Sequence, residues 1–208
     1  MQDDRPLTVE RLLNRISRSI NEEQYMLMEY LGPIVDGCRT ALSVSVEEAR
    51  TLHKLSESEF EKYMENTGSA FSDLAICFDL VDVDESYSLV FEKGRVVVYD
   101  DCLEPNVVVK SDRETILALL DSDPSFSLEN GLGKAIQIIG EDSMEVVEAL
   151  GFLCYPSLLR VAQSGVDPSS LLSEDADAII LAAASDAVTN VVRKWIDLQL
   201  TKSHSTSL

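Results

Sequence analysis

Of the side chains that can do chemistry, the chain holds 37 acids but only two histidines, His53 and His204. Acid–base work near neutrality falls most readily to histidine. His53 sits among Glu47, Glu48 and Glu57 in a helical stretch and reads as part of a solvated face. His204 stands in the polar run KSHSTSL, expected to fray and to fix no role. No H-E-x-x-H, G-x-S-x-G or Ser/His/Asp arrangement occurs. Asp82, Asp84 and Glu85 alternate as calcium ligands do, without the glycine and closing glutamate of a calcium loop. Asp121, Asp123 and Glu129 read the same way. The run GLGK at 131–134 lacks phosphate-loop spacing and precedes a strand, where a phosphate loop precedes a helix. The expectation is a protein that is not an enzyme and uses no metal or cofactor. Two carboxylates meeting in a deep pocket is the catalytic arrangement left open.

The four cysteines, Cys38, Cys77, Cys102 and Cys154, form no C-x-x-C pair and read as reduced, mostly buried thiols. Acidic residues outnumber basic ones 37 to 17, for a formal charge of -20. That field repels phosphate backbones, so no nucleic-acid partner is expected. The opening MQDDRPLTVE is unlike a signal peptide. The most apolar run, Ala178 to Ala184, is broken by Ser185 and Asp186, well short of a membrane span. A cytoplasmic protein with no stable membrane insertion is expected.

Three zones of periodicity must position these residues. In 1–66, Leu12, Ile16, Ile20, Leu27 and Leu31 recur at helical spacing, with Gly32-Pro33 expected to stop that helix. A second helix is expected from about Ser45 to Asn66-Thr67-Gly68. From Phe71 the period becomes two: Leu74, Ile76, Phe78 and Leu80 share one face, Ala75, Cys77 and Asp79 the other. SYSLVFE and RVVVYDD around Lys93-Gly94 signal a hairpin. A short strand from Val107 to Lys110 leads into a helix capped by Ser111 or Asp112, and a last strand spans Lys134 to Ile139. Helices are expected from Met144 to about Ala162 and from about Ser173 to Leu200. The fold class is α+β: a mostly antiparallel five-stranded sheet covered by helices. The division expected is a helical extension over 1–66, an α+β domain over 67–163, and a C-terminal helix and tail over 164–208.

The stretches YSLVFEKGRVVVYDD, EPNVVVKSDRETILALLDSDPSF and LGKAIQIIGEDSMEVVEAL occur in that order between Phe71 and about Leu150. Their order and spacing resemble the sterol carrier protein type 2 domain. The resemblance implies a five-stranded sheet with helices on one face, enclosing an apolar tunnel. It also implies non-catalytic binding or carriage of a lipid: a fatty acyl, sterol-like or isoprenoid molecule. The cavity-lining residues it suggests are Phe78, Leu80, Leu117, Leu120, Phe126, Leu132, Ile136, Ile138 and Phe152. Each is equally an ordinary core residue by pattern alone.

A second class competes. Ile180, Ala184, Ala187, Val191, Trp195 and Leu198 recur at three- and four-residue steps along the last helix. That stripe packs on the chain's own sheet domain, or it makes a homodimer or partner seam for an acidic interaction or chaperone-like module with no lipid.

Overall fold

The computed structural model describes residues 7–22, 26–43, 70–71, 73–92, 95–163 and 176–205. The fold is α+β, with a five-stranded, mostly antiparallel sheet and helices before and after it. The helix expected from Ser45 to Thr67 and the Lys93-Gly94 turn lie outside the described residues.

Helix α1 (Val9–Glu22) turns Val9, Leu12, Leu13, Ile16 and Ile20 inward, the stripe that four-residue spacing demands. A π-helical turn (Met26–Leu31) runs directly into α2 (Gly32–Ser43). Gly32-Pro33 therefore opens a helix and does not stop one. Proline fits a first helical turn because the N–H it lacks would have no partner there.

Strands β1 (Ala75–Leu80), β2 (Glu85–Glu92), β3 (Arg95–Tyr99), β4 (Val107–Ser111) and β5 (Gln137–Gly140) assemble in the order β3-β2-β1-β4-β5. All neighbours are antiparallel except β1 and β4. The register places Ile76, Phe78, Leu80, Leu89, Phe91, Val96, Val107 and Val109 on one buried face. Cys77, Ser88, Val90, Val108 and Ile139 share the other.

The β1–β4 pairing obliges residues 100–106 to pass from the β3 edge across β2 and β1. Three strand spacings are about 14 Å, within reach of seven extended residues. The crossing is fastened twice on the sheet face that carries Cys77 and Ser88. Ser88 Oγ donates to the Asp101 carbonyl at 2.6 Å and accepts from Leu103 N–H at 2.9 Å. Cys77 and Cys102 are joined as a disulfide, with Cα atoms 5.3 Å apart. This corrects the expectation of reduced thiols throughout: pairing that no sequence spacing reveals brings two of the four together, while Cys38 and Cys154 stay free. Asn106 then completes the crossing. It accepts from Ala75 N–H through Oδ1 at 2.7 Å and donates its own N–H to the Ala75 carbonyl at 2.9 Å.

Helix α3 (Arg113–Leu120) is capped by Asp112, which accepts from Thr115 N–H at 2.8 Å. Those bonds hold its carboxyl below the ordinary range. A single helical turn, α4 (Leu128–Gly131), precedes β5. The helix expected from Met144 to Ala162 is two: α5 (Ser143–Leu153) and α6 (Tyr155–Gln163), parted at Cys154. Pro156 lacks the N–H that would carry a continuous helix through this point. Helix α7 (Ala176–Ser205) closes the fold and runs five residues beyond the expected Leu200, through His204.

One continuous core joins α1, α2, the sheet, α5 and α7, with Tyr155, Phe78 and Phe152 among its largest fully buried side chains. No described helix is long and apolar enough to cross a membrane.

Candidate functional site

The nine suggested cavity residues separate. Phe78, Leu80 and Phe152 are sealed in the core, Phe152 edge-on to Phe91 with ring centres 5.7 Å apart. Leu117 and Phe126 pack half-buried against that core. Leu120 lines a groove of about 320 Å³ with Ile16, Leu159 and two arginines. There Arg15 pairs with Asp121 at 2.8 Å and Arg160 donates to the Ser122 carbonyl. Leu132, Ile136 and Ile138 come together in a different place.

That place is a groove of about 290 Å³ between the α4–β5 segment and α7, lined on its far wall by Trp195, Leu198, Gln199 and Thr201. Local sequence builds the near wall. Gly131 accepts from Lys134, Ala135 and Ile136 N–H groups, and Gly133 N–H returns to the Ile136 carbonyl at 2.8 Å, drawing the loop tight. Gly133 has φ +75°, a conformation glycine adopts without strain. Its missing side chain is also needed: a Cβ there would stand 2.9 Å from Leu198 Cδ1. The far wall comes from helical spacing. Trp195, Leu198 and Thr201 step by three along α7, so the groove follows roughly 9 Å of that helix.

The stripe that reads either as packing on the sheet domain or as a dimer or partner seam is largely packed inside the chain. Ala184 and Val191 are buried, and Ile180, Ala187, Trp195 and Leu198 pack against the core. Trp195 and Leu198 thus serve two ends, packing and groove. Periodicity marked them as apolar and inward-facing, but the loop they face lies some sixty residues away in sequence. Gln137, Gln199 and Thr201, isolated polar residues at that wall, gave no signal.

Carboxylates do gather elsewhere: Glu10, Asp84, Glu85, Asp100 and Asp101 rim a cavity of about 380 Å³ with Ser86 and Tyr87. All five are exposed, so this is a solvated rim and not the deep pair acid–base chemistry would need. Partial burial, with Glu85, Glu10 and Asp100 nearby, keeps the Tyr87 phenol above its ordinary range. Among the described residues, no three His, Cys, Asp or Glu side chains are arranged to hold a metal ion.

One buried acid stands apart. Glu148 on α5 meets Arg39 of α2 at 2.6 Å. Burial pushes its carboxyl up to about 7, opposed by Arg39 and by a hydrogen bond from Phe71 N–H, and aided by Asp36 and Glu145. It faces neither groove and ties two helices together. The adjoining Cys154 thiol is pushed up to about 12 by burial and, secondarily, by Cys38, which makes it a poor nucleophile.

Compared with known proteins, the chain matches no family model and no curated protein.

Proposed function

We infer that the protein binds and carries an apolar small molecule without transforming it, in the groove between the α4–β5 segment and α7. The observation that supports this reading is the convergence of Leu132, Ile136 and Ile138 with Trp195 and Leu198 around about 290 Å³ of space. That size is close to the lower range of small-molecule sites, which are typically apolar with a few polar groups. Burial would drive binding at roughly 25 cal/mol per Å² of apolar area. The sheet-and-helix resemblance to sterol carrier protein type 2 domains points to the same ligand class, a lipid or an isoprenoid-like molecule.

The test is native mass spectrometry of the purified protein, then organic extraction and identification of whatever is released. A near-stoichiometric apolar molecule, lost in Ile138→Trp while circular dichroism is unchanged, supports the reading. A clean apo mass with no uptake from an offered lipid panel sinks it.

A further inference from the structure

Among the described residues, the walls of the β5–α7 groove carry no charge. Leu132, Gly133, Ile136, Ile138, Trp195 and Leu198 are apolar, and the polar members Gln137, Gln199 and Thr201 are all neutral. In a chain with 54 formally charged side chains (37 acidic and 17 basic), a cavity lined this way is selective by composition. Resting on the binding reading above, we propose that the groove takes an uncharged amphiphile. Its polar end is a hydroxyl or amide, and a carboxylate or ammonium of the same length is rejected.

The polar residues of α7 lie at one end. Gln199 and Thr201 stand one turn or more beyond Trp195 toward the C-terminal end of α7, about 6 to 9 Å along its axis. The side-chain amide of Gln199 has no hydrogen-bond partner among the described residues. It offers both a donor and an acceptor, whereas Gln137 alternates with Ile138 and turns its side chain to the other face of the sheet. Thr201 Oγ1 already donates to the Asp197 carbonyl at 2.7 Å, which leaves its lone pairs to accept. A ligand hydroxyl or amide, itself donor and acceptor, satisfies that set.

A carboxylate does not fit it. Entering the groove would strip water from the anion, and no cation among the described lining residues replaces it. Lys194 lies one turn before Leu198, at the Trp195 end and outside the lining. The chain's net charge of -20 adds a further penalty for an anion. An ammonium is drawn to that field but finds no lining carboxylate to pair with.

Trp195 is the only tryptophan and lies in the wall, so its emission reports occupancy directly. The intact protein is titrated at pH 8 with 1-decanol, decanoate and decylamine. The expected result is a decanol-dependent shift of Trp195 emission, with Kd tighter than for either ion by at least about tenfold. Lys194→Gln should leave all three affinities unchanged. Gln199→Lys, at an exposed position, should raise decanoate affinity to about that of decanol. Equal or tighter binding of either ion to the unaltered protein overturns the selectivity while the carrier reading stands. A Gln199→Lys protein that still rejects decanoate overturns the placement of the polar end. Silence from all three ligands fells the carrier reading, and the selectivity with it.

Discussion

Glu148 and Arg39 form a buried ion pair at the crossing of α5 and α2, their charged atoms 2.6 Å apart and their side chains 8% and 16% exposed. Arg39 also reaches Asp36 at 3.3 Å, while its Nε has no partner among the described residues. Forming the pair is electrostatically costly, since two charges leave water for one good contact.

Its titration sets a pH dependence. Glu148 has a folded pKa of about 7 against an ordinary value of 4.5, so the folded protein holds a proton that the unfolded chain has released between those values. Stability from this group is full below about pH 4.5 and is lost as pH rises through 7. Burial raises Asp36 in the same direction. Thermal melts should therefore show Tm falling from pH 5 to pH 8, by the equivalent of on the order of 3 kcal/mol. Glu148→Gln should flatten that profile. A slope unchanged in the variant would remove Glu148 as its source.

One turn along the same crossing, a Val35 methyl fills the space where a side chain on Gly151 would stand. Gly151→Ala should cost about 1 to 3 kcal/mol through overpacking. Val35→Ala in the same chain should recover part of that loss, so the two changes together cost less than their sum. Strict additivity in urea melts would count against a direct contact.

The Cys77–Cys102 bond closes a loop with a sequence separation of 25. Chain entropy assigns such a closure about 3 kcal/mol. Intact mass without reductant should be two hydrogens below the thiol form. Cys102→Ser should lower stability by about that amount and make it insensitive to dithiothreitol. Equal stability with and without reductant in the unaltered protein would refute the staple.

The outer edge of β3 is held by two side chains of α1, Ser17 and Asn21, of which Asn21 pairs with both backbone groups of Val96. Asn21 accepts from Val96 N–H at 2.8 Å and donates to the Val96 carbonyl at 2.9 Å, as a neighbouring strand would. Asn21→Ala should cost about 1 to 2 kcal/mol for the pair and free an edge that seeks other strands. Light scattering at rising concentration should register self-association absent from the parent. A monodisperse variant would show that α1 packing alone guards the edge.

What the sequence discloses here is local. Alternation placed Ile76, Phe78 and Leu80 inward, and Asp112 announced the start of α3, because both signals act over a few residues. Gly32-Pro33 marks a boundary without saying which side is helix, and the apolar run around Cys154 reads as one unbroken helix although Pro156 parts it. The parallel neighbour of β1 and the disulfide follow from where a seven-residue crossing comes to rest, which no spacing encodes. The groove was half legible for the same reason. Leu132, Ile136 and Ile138 are suggested as cavity residues by the family resemblance, whereas Trp195 and Leu198 read only as an apolar stripe that packs on the sheet domain or makes a seam, with nothing to name the loop they face.

The hydrogen bond from Ser17 on α1 to Val96 on β3 spans 79 residues of sequence. On a ribosome adding about 5 to 20 residues per second, α1 waits roughly 4 to 16 seconds for the strand it caps. Through that interval Leu12, Leu13, Ile16 and Ile20 have no sheet to cover. The emerging helix α1 is thus a segment that a holding chaperone would shield during synthesis.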